Sequence, residues 1–126
     1  MSKLYQRIAS AIIARANCEE SGNFEWFAKH TETLESIARD HLPRGSGFDS
    51  GSTIDVDRST AERIVINTAY HHMDDSGCYD GWTEHDVIVT PSLAFGFNLR
   101  ITGRDRNGFK DYASELFYSV LSEDEE

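Results

Sequence analysis

Cysteine, positive charge and long apolar runs are all scarce in this sequence, and each shortage excludes something. The two cysteines, Cys18 and Cys78, lie far apart, and neither belongs to a Cys-x-x-Cys pair. A disulfide framework needs more of them, so a reducing compartment is expected. No apolar run approaches the ~20 residues that span a bilayer. The N-terminal stretch carries Lys3, Arg7 and an Ala-Ile run, as a signal peptide does. Arg7 and Arg15 interrupt it before an h-region forms, and an amphipathic helix is the better reading. Lys plus Arg is 12 against 22 for Asp plus Glu, a formal charge of -10. Such a field repels phosphate backbones and anionic lipid heads. Direct nucleic-acid binding and membrane binding are therefore disfavoured. A basic protein surface, or a protein site that normally holds nucleic acid, suits the charge better. Solubility alone is the plain alternative.

What is present is enough for one domain over residues 1–126. Hydrophobic residues make up 39%, with seven Phe, five Tyr and two Trp, which fills a modest core and argues against disorder. Residues 1–42 read as a helical hairpin. Leu4, Ile8, Ile12 and Ala16 recur at four-residue steps. Gly22 ends that helix and Asn23 caps the next, Phe24–His41, where Phe24, Phe27, Thr31, Leu34 and Ala38 keep a near-heptad spacing. Pro43 stops it, and residues 43–51 are loop by composition.

Residues 52–102 carry the strand signal. Four strands are expected, over residues 52–58, 62–72, 82–90 and 93–102, with turns at 59–60 and 74–81 and a reversal at Pro91–Ser92. The last is the clearest, since Leu93, Phe95, Phe97, Leu99 and Ile101 alternate with smaller or polar residues. A C-terminal helix over 107–122 places Phe109, Tyr112, Leu116 and Val120 on one side, with Ala113, Phe117 and Leu121 adjoining and Asp105 or Asn107 as its cap. Residues 123–126 form an acidic tail that opposes the helix dipole. The fold expected is α+β, in the order α-α-β-β-β-β-α. The four strands form an antiparallel meander, and the C-terminal helix packs on the sheet.

Few residues suggest chemistry. The glycines at 45, 47 and 51 lack the Gly-Lys-Ser/Thr sequence of a phosphate loop, so a flexible crossing is expected there. His71, His72 and His85 lie near Asp74, Asp75 and Asp80 and form the most metal-like group. His71 and His72 are consecutive, however, and must point to opposite faces of a strand. A polar hairpin rim is the plainer reading. Cys78 sits in an Asp-rich loop, where negative charge makes a thiol less reactive. No catalytic residue, metal or cofactor is assigned. Tyr79 and Trp82 are interface anchors if exposed, although packing across the sheet end is the expected case. Arg100, Arg104 and Arg106 are expected to pair with nearby acids such as Asp105 and Asp111. Trp26 and Phe27 are adjacent on the second helix and cannot share the centre of one stripe. One of them is a candidate contact for a homodimer.

The stretches PRGSGFDSG at 43–51, YDGWTEH at 79–85 and TGRDRN at 102–107 resemble segments of small uncharacterised proteins of bacteriophages and mobile elements. The resemblance covers residues 42–121 and leaves the N-terminal helices out. It implies an accessory protein of phage type in the bacterial cytoplasm. Many such proteins are acidic inhibitors of host defence, including anti-CRISPR and anti-restriction proteins. With the charge, this gives the expected function: a non-enzymatic inhibitor that occupies a basic, nucleic-acid-handling surface of a host protein or ribonucleoprotein complex. Asp49, Asp55, Asp57, Asp74, Asp75 and Asp80 would stand in for phosphates, with Tyr79 and Trp82 beside them. The alternatives are a small metal-binding or hydrolytic protein using the His/Asp group, and a structural dimeric module built on Trp26 and Phe27.

Overall fold

The computed structural model describes residues 3–45, 47–94 and 96–122, with backbone alone at Asp49 and Ser50. Phe95 and the acidic tail at 123–126 lie outside the described residues. Three helices and four strands follow in the expected order. They are α1 (Lys3–Ser21), α2 (Phe24–His41), β1 (Phe48–Ile54), β2 (Ile64–Met73), β3 (Tyr79–Ser92), β4 (Gly96–Ile101) and α3 (Phe109–Ser122). The strands form one antiparallel meander in the order β1-β2-β3-β4.

The helical hairpin forms where its sequence places it, although Ala16 and Phe24, expected on its apolar stripes, are exposed near the connection between the helices. α1 buries Leu4, Tyr5, Ile8, Ala11 and Ile12, a single stripe at helical spacing. Gly22 closes it at φ 78, and the Asn23 side chain accepts from the Trp26 amide to cap α2. α2 buries Leu34, Ile37 and Ala38 and stops at Leu42, extended before Pro43. α3 buries Phe109, Ala113, Phe117 and Leu121. This stripe is rotated from the expected one: Tyr112 is exposed, while Leu116 and Val120 only flank the core.

The helices share one hydrophobic core with the inward strand positions Ile54, Ile64, Ile66, Val87, Val89 and Phe97. The other face of the sheet carries Asn67, Ala69, His71, Trp82, Glu84 and Asp86, paired across β2 and β3. No helix packs on it among the described residues. None of those helices is long and apolar enough to cross a membrane.

Three boundaries differ from expectation. β1 begins at Phe48, inside the glycine-rich stretch read as loop, and Asp55 and Asp57 follow it in a turn. The ladder jumps from Asp49–Ala69 to Ser52–Thr68, so β1 holds two extra residues, with Gly51 at φ 83. The Ser52 hydroxyl donates to the Pro43 carbonyl at 2.8 Å and fixes this bulge. β3 begins at Tyr79 rather than at 82 and runs through Pro91 to Ser92. Its ladder to β2 stops at Ile64–Val89, so Pro91 needs a bond on one edge only. The reversal therefore falls on Leu93 and Ala94, and Leu93 is fully exposed instead of facing the core.

Candidate functional site

β2 and β3 outrun their neighbours. β1 pairs no further along β2 than Tyr70, and β4 no further back along β3 than Val87. The remainder is a distal hairpin. Asp74 builds its turn. The Asp74 Oδ1 accepts from the Ser76 amide (2.9 Å), the Ser76 hydroxyl (2.6 Å) and the Cys78 amide (2.9 Å), and Gly77 supplies φ 84. These bonds, the Ser76 hydroxyl first, hold the Asp74 carboxyl below its ordinary range. Asp74 is thus a turn-former as well as a surface charge. Asp75 is exposed beside it.

Between His71–Trp82 and Met73–Tyr79 the ladder gains one residue on β3, with Gly81 at φ 86. Past this bulge the Asp80 carboxylate meets the Arg106 guanidinium at 2.5 Å. Arg106 was expected to pair with Asp105 or Asp111; Asp105 instead accepts from the Lys110 amide at the start of α3. Arg100 and Arg104 make no ion pair among the described residues.

The outer face of this hairpin carries Met73, Tyr79 and Trp82, which are 55%, 58% and 54% exposed. Tyr79 and Trp82 therefore do not pack away across the sheet end. The Tyr79 hydroxyl meets His71 Nδ1 at 3.3 Å, which steadies its ring on the strand. Glu84 is exposed next to Trp82 on the same face.

The histidines separate as strand alternation requires. His71 lies on the outer face. His72 is buried on the inner face, its Nε2 2.8 Å from the Thr83 hydroxyl. Burial first, then the Arg106 charge, holds its pKa below the ordinary value. His85 is also buried, and its Nε2 donates to the Arg104 carbonyl at 3.0 Å. Its Nδ1, like the Thr68 hydroxyl across the ladder, has no hydrogen-bond partner among the described residues. No three His, Cys, Asp or Glu side chains come together as a metal-binding group among the described residues.

The other acids lie elsewhere. Asp55 and Asp57 sit where β1 leads toward β2, at the opposite end of the sheet. Val65, bonded to Asp55, and Met73 are separated by about 26 Å of strand. Arg58 locks this end. Its Nε reaches Asp55 at 2.6 Å, and its Nη1 and Nη2 grip Asp86 at 2.8 and 2.9 Å. Asn67 also donates to Asp86. Hydrogen bonds from Arg58 hold both carboxyls below the ordinary range. Asp57 is exposed, 3.9 Å from Arg15. The Asp49 side chain lies outside the described part. The other five acids singled out from sequence thus occupy two separate surfaces. On α2, Phe27 lies against the Arg15 guanidinium (4.2 Å), while Trp26 points outward under Lys29 (4.5 Å).

Behind the hairpin lies a cleft of about 640 Å³, lined by Tyr70, His71, His72, Met73, Arg106, Asn107, Phe109 and Tyr112, with Gly47 on one side. No residue pattern singled out above points to this cleft. A signal existed in β2, whose inner face changes from Ile64 and Ile66 to Thr68, Tyr70 and His72. Such a change marks the point where the core gives way to a polar opening. Comparison with protein families, curated proteins and solved structures finds no match for this chain.

Proposed function

We propose that the chain is a non-catalytic binding protein that docks on a basic protein surface through the outer face of the distal hairpin. The observation that carries this reading is the exposure of Tyr79 and Trp82 on an uncovered sheet face, ringed by Asp74, Asp75 and Glu84. Aromatic side chains with few rotatable bonds are the usual interface anchors. A surrounding of carboxylates selects a positively charged partner and speeds encounter with it. The paired acids Asp55 and Asp86 contribute less, because Arg58 already neutralises them. In the setting that the resemblance to phage proteins implies, the partner would be a host defence complex, and the occupied surface one that normally holds nucleic acid.

The test is capture from a bacterial lysate by the tagged chain at low and high salt, run beside two variants. Trp82→Ala with Asp75→Lys alters the hairpin, and Asp57→Lys alters the far end. The expected result is a stoichiometric partner that high salt and added nucleic acid both release. It should be lost with the hairpin variant and kept with the far-end variant. A partner retained by the hairpin variant would contradict the reading.

A further inference from the structure

We propose a second site, which adjoins the outer face at His71 and Met73: the cleft behind the distal hairpin binds an uncharged, planar aromatic molecule that carries a hydrogen-bond acceptor. Its volume of about 640 Å³ falls within the few hundred to ~1,000 Å³ of small-molecule sites. Its walls are rings. Tyr70 lies 4.8 Å from Phe109 and 5.9 Å from Tyr112, centroid to centroid, in tilted and edge-on geometry. A flat guest adds one more partner to such a set, in the offset or edge-on arrangements that aromatic quadrupoles favour. Gly47 keeps that side open. At φ 103 it takes a conformation that side chains rarely adopt, and a Cβ there would lie 2.6 Å from the Tyr70 ring.

The polar groups choose the charge of the guest. Arg106 lines the cleft and uses Nη2 on Asp80, which leaves further N–H donors for an acceptor on the ligand. Because Asp80 already balances the guanidinium, the cleft has no uncompensated positive charge to hold an anion. The chain's formal charge of -10 opposes an anion as well. No carboxylate is among the described residues that line the cleft, so nothing there holds a cation. The Tyr70 phenol, its ionisation opposed by burial, stays a neutral donor. What remains is a neutral ring with a carbonyl-type acceptor, of which benzamide is the simplest probe.

The experiment is an amide chemical-shift titration of the ¹⁵N-labelled full chain with benzamide, benzoate and cyclohexanecarboxamide. Benzamide is expected to give saturable shifts confined to residues 70–73 and 106–112, with a Kd on the order of a millimolar. Benzoate, charged, and cyclohexanecarboxamide, not planar, should each bind roughly tenfold more weakly. Tyr112 is 39% exposed and touches the core at the Phe48 ring, so Tyr112→Leu keeps bulk at the cleft and should weaken benzamide about fivefold, with thermal unfolding confirming that the variant is folded. Absence of saturable shifts up to the solubility limit would overturn the proposal. So would equal binding of benzoate, or unchanged affinity in Tyr112→Leu. None of these results bears on the outer-face reading, which needs no small ligand.

Discussion

The two ends of the sheet's outer face are built from the same residue types to opposite effect. At the β1–β2 end, Asp55 and Asp86 are tied to one guanidinium, Arg58, and the Ser59 hydroxyl accepts from the Val65 amide over a fully buried Val65. Charge and backbone there are satisfied internally. At the distal hairpin, Asp75 and Glu84 face solvent, and Met73, Tyr79 and Trp82 stand on the strands uncovered. A count of acids weighs both ends alike. Only the second leaves groups that a partner can satisfy.

The largest effect expected from this contrast is on binding. Tyr79→Ala with Trp82→Ala should weaken the partner by about 30-fold or more, as loss of interface anchors does, with little change in melting temperature. Titration calorimetry with the captured partner and thermal unfolding read the two quantities separately. The converse holds at the other end. Asp86→Ala should leave binding intact and destabilise the fold by about 1–2 kcal/mol. It removes the bidentate pair with Arg58, which keeps Asp55, and the effect is reduced by partial exposure. Urea unfolding measures it.

A third expectation separates the ends by pH. His72 has a pKa below its ordinary value of 6.5. The unfolded chain therefore takes up that proton first. Its contribution to stability is complete above 6.5 and is lost as pH falls toward the depressed folded value. Asp55 and Asp86 lie below their ordinary 3.8, so their contribution persists above that value and disappears only at lower pH. His72→Gln should flatten the stability profile just below pH 6.5 and leave the acid limb in place. The smallest effect belongs to Asp57→Asn, exposed and loosely placed, which should change stability by less than about 0.5 kcal/mol.

Much of the architecture was legible because it depends on local chemistry. Gly22 and Asn23 set the helical hairpin, and the alternation from Ile64 to Tyr70 set β2 and its inner face. Where the reading slipped, the deciding contact was distant. A glycine-rich run conceals β1 because its bulge is fixed by Pro43, nine residues from Ser52. Pro91 looks like a strand end until the shorter reach of β2 is known. The site was legible in part. Tyr79 and Trp82 stood out, but their exposure depends on which face the helices leave bare. The neutralisation of Asp86 depends on Arg58, 28 residues earlier in the chain.

The most direct test is site-specific photocrosslinking in bacterial cells. A photoreactive phenylalanine analogue is placed at Tyr79, on the hairpin's outer face, and separately at Asp57, at the far end. The account predicts a discrete covalent adduct with one protein from position 79 and none from 57. Adducts from 57 alone would place the interface at the wrong end of the sheet and contradict it.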